Sequence, residues 1–243
     1  MIQKKAVHKT EEPKLRSSVS EIIKTADGSH SIYLKDLDEH YHSIHGAIQE
    51  AKHVFMKMGV SHIASTLPNA STPIHILEIG LGTGLNAFLT FVEARKAGLT
   101  IKYTALEAYP ISPELADKLN YVELLNGQND RSIYNRIHSA EWNETIAFSD
   151  QFTIRKIKNT LQAVIFEDSY DLIYFDAFGP RVQPEMWTED IFTKLYAVTK
   201  PNGCLVTYCA KGEVKRTLKK VGFTVETLQG PPGKREMVRA TKN

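Results

Sequence analysis

Three glycines at alternate positions follow an apolar run in this chain. The segment reads Leu77-Glu78-Ile79-Gly80-Leu81-Gly82-Thr83-Gly84-Leu85-Asn86. Glycines adopt backbone angles that a side chain forbids and let a bound molecule approach the main chain closely. The dinucleotide fingerprint sets its third glycine three positions after the second, where this chain has Leu85. That spacing disfavours a dehydrogenase. An acid just before the glycines, Glu78, repels a diphosphate and suits a cationic cofactor such as S-adenosylmethionine. The alternative is a glycine turn with a purely structural task.

Two further acids stand where a ligand in such a sheet would meet them. Glu107 ends the next apolar run, 27 residues after Gly80, the place from which an acid accepts hydrogen bonds from ribose hydroxyls. Later comes Asp176-Ala177-Phe178-Gly179-Pro180, then Val182-Gln183-Pro184-Glu185-Met186-Trp187. Acid, aromatic ring and proline on one turn are similar to the Asp-Pro-Pro-aromatic loop of amine-directed methyltransferases, in which an acceptor orients an N–H nucleophile and a ring stacks on a flat substrate. The bland reading of Asp176 is a helix cap. His40, His42 and His45 cluster, but their spacing matches neither the helical i, i+4 pair nor a finger motif, so no metal is expected. Tyr41-His42-Ser43 reads instead as a helix lead-in with Ser43 as N-cap.

The elements that must position these groups alternate. Apolar runs Ile74–Ile79, Ile101–Glu107, Phe152–Ile157, Asp171–Asp176 and Cys204–Cys209 predict strands. Helical periods over Asn86–Ala97, Ser112–Asn126, Thr188–Thr199 and Gly212–Val221 lie between or after them, and Lys200-Pro201-Asn202-Gly203 predicts a turn. This is an α/β pattern, a mostly parallel sheet with helices on both faces. The last strands, Phe223–Leu228 and Glu236–Thr241, are too close for a crossover helix and must form an antiparallel hairpin. A parallel sheet closed by such a hairpin fits the seven-stranded, Rossmann-like class I methyltransferase fold. Residues 1–66 form an N-terminal extension, with a hairpin of Glu21–Lys24 and Ser31–Leu34 and a helix from Ser43 to Met58. Residues 67–243 form the main domain, carrying a helical insert over 109–150.

Composition narrows the class. The chain has 243 residues, 42% of them apolar and 24% charged, which suits a folded globular domain rather than a disordered one. No uncharged apolar run reaches membrane-spanning length, and no secretory leader is visible, so a cytoplasmic protein is expected. Cys204 and Cys209 cannot frame a disulfide scaffold. The net charge of +2 hides +3 over residues 1–16, −8 over 17–199 and +7 over 200–243. A basic tail on an acidic body points to a polyanion partner.

Leu77–Asn86, Glu107 with Tyr109-Pro110, Asp176–Pro180 with Pro184–Trp187, and Gly233-Lys234-Arg235-Glu236-Met237 together resemble the MnmC-type tRNA methyltransferase domain. The likeness runs from about residue 20 to the C-terminus. Tyr41–Ala47, Glu50 and His53–Phe55 are similar to the stand-alone members, which lack the FAD-dependent oxidase half, so FAD is not implied. The resemblance implies methyl transfer from S-adenosylmethionine to 5-aminomethyl-2-thiouridine at the tRNA wobble position, giving the 5-methylaminomethyl form. The enzymes that make the aminomethyl precursor would be functional partners. Glu78, Gly80, Gly82, Thr83, Gly84, Asn86 and Glu107 would hold the cofactor. Asp176 would orient the amine and take up its proton, with Phe178 beside it. Pro180, Lys234 and Arg235 would meet substrate or RNA phosphates. Where the family often has Gly-Asp, whose carboxylate meets the adenine amino group, this chain has Lys158-Asn159. An aminopropyltransferase, a small-molecule amine methyltransferase and a non-catalytic RNA-binding module remain as alternatives.

Overall fold

A computed structural model of the chain describes residues 19–67, 72–125 and 130–243. The basic segment 1–16 and Asn126 lie outside the described residues. The described chain opens with a small antiparallel sheet of β1 (Ser20–Lys24), β2 (His30–Leu34) and β3 (Glu39–His40). A helical segment follows in three parts, here together α1: Ala47–Ala51, a wider π-wound stretch Lys52–Val60, and Ser61–Thr66.

The main sheet has eight strands: β4 (Ile74–Ile79), β5 (Ile101–Glu107), β6 (Thr145–Ser149), β7 (Phe152–Lys158), β8 (Tyr170–Phe175), β9 (Thr199–Thr207), β10 (Thr224–Gln229) and β11 (Glu236–Thr241). Their order is β10-β11-β9-β8-β4-β5-β7-β6. The pairs β9-β8, β8-β4, β4-β5 and β5-β7 are parallel, whereas β10-β11, β11-β9 and β6-β7 are antiparallel. Parallel strands covered on both faces read as continuous apolar runs, and Ile76, Leu77 and Ile79 are all buried accordingly. Helices α2 (Leu85–Ala97), α3 (Pro113–Ala116), α4 (Tyr121–Leu124), α5 (Arg131–Ser139), α6 (Glu189–Val198) and α7 (Gly212–Lys220) follow, with short 3-10 turns at Lys35–Leu37 and Pro184–Trp187. One core layer joins α1, α2 and α5 to the sheet, and the other joins α6 and α7 to its opposite face.

The parallel core and the closing hairpin stand where the sequence placed them, and four details differ. The sheet gains β6, an edge strand made from the end of the 109–150 insert. The Lys200–Gly203 turn is a bulge inside β9: Tyr170 pairs with Thr199 and Leu172 with Cys204, so the four residues between loop out around Asn202 at φ 62°. The helix expected over 112–126 is broken after Ala116. Asn120 turns its side chain away to accept from His30 N–H at 2.8 Å and donate to Gly28 O at 3.0 Å. Ser43 does not cap α1. Its Oγ accepts from His45 N–H and its own N–H is held by Glu50, so the helix starts at Ala47, after Gly46.

Candidate functional site

Strand order reverses at β4, with β5 on one side and β8 on the other, and the site opens beyond the carboxyl ends of these three strands. Ligands in open α/β sheets bind at such a switch point, where diverging loops leave a crevice. The turn leaving β4 is left-handed at Gly80 (φ 90°), Gly82 (φ 49°) and Gly84 (φ 71°). A side chain at Gly80 would strike the main chain of Asp176, and one at Gly82 would meet the Tyr41 ring at 3.0 Å. The glycines are therefore required twice, by backbone angle and by close approach.

Glu107 and the glycine turn are one construction. The Glu107 carboxylate accepts from Gly82 N–H at 2.9 Å and Tyr109 N–H at 2.8 Å. Burial pushes its pKa up, while these backbone donors pull the other way. A carboxylate has about four acceptor positions, so capacity remains for other donors.

A cavity of about 370 Å³ lies over this turn, touching Gly80, Gly82, Thr83, Glu107, Asn159 and Asp176. A second, of about 440 Å³, lies against Glu50, Asp176, Phe178, Pro180, Tyr208 and Lys234. Tyr41, His42, Asp176, Ala177 and Phe178 border both. The Tyr41 and Phe178 rings meet edge-on, with centroids 5.1 Å apart at 80°. They form a partition with Asp176 beside it. Gln183 Oε1 accepts from Phe178 N–H, and Trp187 Nε1–H donates to Phe178 O at 2.8 Å, which fixes the loop after β8.

Of the residues singled out in the sequence for a cofactor, Gly80, Gly82, Thr83 and Glu107 border the first cavity. Glu78, Gly84 and Asn86 stand behind it. Gly84 packs on His138. Glu78 is fully buried, and burial together with the nearby Asp176 pushes its pKa up, so it stands behind the cavity rather than in its lining. Its Oε1 accepts from Asn86 Nδ2 at 3.0 Å, and the same amide donates to Asp176 Oδ2 at 2.8 Å. Glu78 and Asn86 thus set the position of Asp176. Desolvation first, and then the charge of Glu50, push the Asp176 carboxyl up to about 7.

The hairpin loop differs from expectation. Lys234 is ion-paired with the buried Glu50, and its Nζ lies 3.9 Å from the centroid of Tyr208. It is part of the second cavity's wall, ion-paired rather than free. The side chain of Arg235, one residue on, is 93% exposed and lies 3.7 Å from Glu236. On α7, Lys215 pairs with Glu236 and Lys220 with Glu189.

Sequence reasoning missed Tyr41 and His42 as site residues. His42 Nε2 is hydrogen-bonded to Thr83 Oγ1 at 2.6 Å, and burial lowers its pKa to about 4. His40 stacks on Tyr33 instead. No spacing rule links position 42 to 83, so only the fold reveals this contact. Among the described residues no group of three His, Cys, Asp or Glu is placed to hold a metal, and no helix is long and apolar enough to cross a membrane.

Residues 132–243 match a family described as S-adenosyl-L-methionine-dependent methyltransferase. The chain is 29% identical over 225 residues to the tRNA 5-methylaminomethyl-2-thiouridine biosynthesis bifunctional protein MnmC of Pseudomonas savastanoi pv. phaseolicola, covering 85% of this chain and 32% of that protein. It is 28% identical over 221 residues to the protein of the same name from Leptospira borgpetersenii serovar Hardjo-bovis, covering 83% and 32%. The chain thus spans about a third of the length of the curated relatives it matches. The crystal structure of MNMC2 from Aquifex aeolicus superimposes with a TM-score of 0.73 at 22% identity, over 96% of this chain and 72% of that one. At that identity the likeness is one of fold. These findings bear out the methyltransferase fold class, the resemblance stated from the motifs, and the cofactor class.

Proposed function

We propose that this chain transfers a methyl group from S-adenosylmethionine to the primary amine of 5-aminomethyl-2-thiouridine at the tRNA wobble position. The observation that carries the reading is the placement of Asp176 and Phe178 on the wall shared by two cavities, one built on the glycine turn and one open beside it. The names and coverage of the relatives support it.

The first cavity fits the cofactor on its own chemistry. Its volume falls in the usual range for small-molecule sites, the glycine cradle leaves room for close approach, and Glu107 keeps acceptor positions for the ribose hydroxyls. Asn159 borders it and offers an amide oxygen as acceptor for the adenine amino group. When bound, S-adenosylmethionine supplies an electrophilic methyl group on a sulfonium sulfur. Gly80, Gly82, Thr83 and Glu107 would hold it, with Asn86 and Glu78 acting from behind through Asp176.

The rest of the chemistry falls to the partition. An alkyl ammonium has a pKa of about 10.4, so the amine arrives protonated and must lose a proton to become a nucleophile. Asp176 accepts that proton and orients the amine towards the first cavity. The Phe178 ring stacks against the uracil, and Pro180 borders its cavity. Holding the amine at near-attack distance removes much of the entropic cost of the encounter. Arg181, Lys211 and Lys234 share the second cavity with its acids, which disfavours a polyamine and with it aminopropyl transfer.

The test is nucleoside mass spectrometry of tRNA carrying 5-aminomethyl-2-thiouridine, incubated with the protein and labelled S-adenosylmethionine. Label is expected in the 5-methylaminomethyl nucleoside. Unlabelled tRNA with an intact precursor would refute the reading.

A further inference from the structure

Glu50 and Lys234 are 184 residues apart in sequence and meet in the wall of the second cavity only. The pair is tied down at both ends. Glu50 Oε2 accepts from Ser43 N–H at 2.9 Å, and its Oε1 takes the Lys234 ammonium. Lys234 Nζ also sits on the face of Tyr208, whose hydroxyl donates at 2.9 Å to the carbonyl of Ala177, the neighbour of Asp176. Taking two charges out of water is costly, and a hydrophobic pair would tether the hairpin loop as well. The placement of this pair in the wall of the cavity that Asp176 also lines is what a mere tether leaves unexplained.

We propose that Lys234, held by Glu50, is a positioning cation that balances the charge around Asp176, so that this carboxyl is ionised when the substrate amine arrives and is still a strong enough base to take its proton. The proposal rests on the methyl-transfer reading above. In the step itself an N–H bond of the substrate ammonium breaks, the electron pair stays on nitrogen, and the proton goes to a carboxylate oxygen of Asp176. The neutral carboxyl then loses the proton to water through the open cavity.

Magnitudes show why a balance is needed. With an ordinary carboxylate, proton transfer from an alkyl ammonium climbs about 6–7 pH units, and with Asp176 near 7 it climbs about 3. Burial and the Glu50 charge raise Asp176, whereas Asn86 and Lys234 lower it. With Glu50 unpaired, Asp176 would stay protonated at neutral pH and could not accept. With Lys234 unpaired, it would be ionised but a weaker base.

Other groups also face Asp176. The Asp176 charge in turn raises Glu78 on β4, Tyr103 on β5 and Tyr208 just after β9. His42 from the extension borders the same cavities, and Glu39, His40, Arg181 and Lys211 lie around the second. None of these is substituted in the variants below.

The experiment follows the Asp176 carboxyl carbon by ¹³C NMR against pH in full-length protein without tRNA, the resonance being identified by its loss in Asp176→Asn. The midpoint is expected to rise by roughly one pH unit in Lys234→Met, to fall in Glu50→Gln, and to return near the wild-type value in the double variant. Lys234→Arg keeps the charge and should keep the midpoint, which preserves the test if Lys234→Met does not fold. With tRNA as substrate, the acid limb of the kcat profile should shift in step, with KM moving less than kcat. An Asp176 midpoint unmoved in both Lys234→Met and Glu50→Gln overturns the proposal. Failure of wild-type protein to methylate tRNA would instead overturn the functional reading, which the titration does not depend on.

Discussion

His42 Nε2 and Thr83 Oγ1 are hydrogen-bonded at 2.6 Å, so the segment before the core sheet is joined to the glycine turn. Tyr134 Oη–H and His138 Nε2 meet the carbonyl of the same threonine at 2.9 and 3.2 Å. Thr83 is where the extension, the insert and the turn are tied together. The cofactor cavity is therefore sensitive to residues from all three.

The first expected outcome concerns pH and stability. Burial lowers His42 to about 4 in the folded chain, against 6.5 for an ordinary histidine, so the unfolded chain takes up the proton first. The stability due to the neutral ring is present above pH 6.5 and is lost as pH falls towards 4. Urea unfolding at pH 7 and pH 5 should show wild type losing about 2 kcal/mol more than His42→Gln. Equal losses in the two proteins would contradict a buried neutral imidazole. His138, also lowered to about 4, is common to both proteins and cancels.

Gly82→Ala should weaken S-adenosylmethionine binding at least tenfold by calorimetry and lower the melting temperature by a few degrees. A non-glycine residue at φ 49° costs about 1–2 kcal/mol, and its Cβ would press on Tyr41. Unchanged cofactor affinity would make the glycine turn a purely structural one.

Glu107→Ala should reduce cofactor affinity by about 1.5–3 kcal/mol, the range for hydrogen bonds to a charged group. The loss has two sources, the acceptor itself and the two backbone N–H groups of Gly82 and Tyr109 left without it. Glu107→Gln retains one oxygen and should lose less. Equal affinity losses in the two variants would show that the loop, and not the acceptor, is what matters.

Arg235→Ala should raise KM for tRNA and lower the dependence of affinity on salt by a slope just under one, because one phosphate contact releases about one counterion. Cofactor affinity should stay the same. Filter binding at several salt concentrations would read the slope, and an unaltered value would remove Arg235 from the RNA interface. Lys234 is not expected to contribute to that slope, since its charge is already spoken for by Glu50.

Local chemistry was legible in the linear chain. The runs Ile74–Ile79, Ile101–Glu107 and Glu236–Thr241 are strands with the expected limits, because apolar β-branched segments bounded by turn residues carry their own signal. The glycine spacing, Glu107 and the Asp176–Pro180 loop were also visible, since each lies at a strand end where periodicity stops. Tertiary structure alone decided which groups share a cavity. Glu78 was chosen to face a cofactor and is sealed behind Asp176, Lys234 was chosen for phosphate and is paired with Glu50, and Tyr41 and His42 joined the site from before the core. Burial and pairing between residues far apart in the chain set these outcomes, and no local spacing encodes the low-dielectric surroundings that decide whether a carboxyl or an ammonium is charged, paired or free.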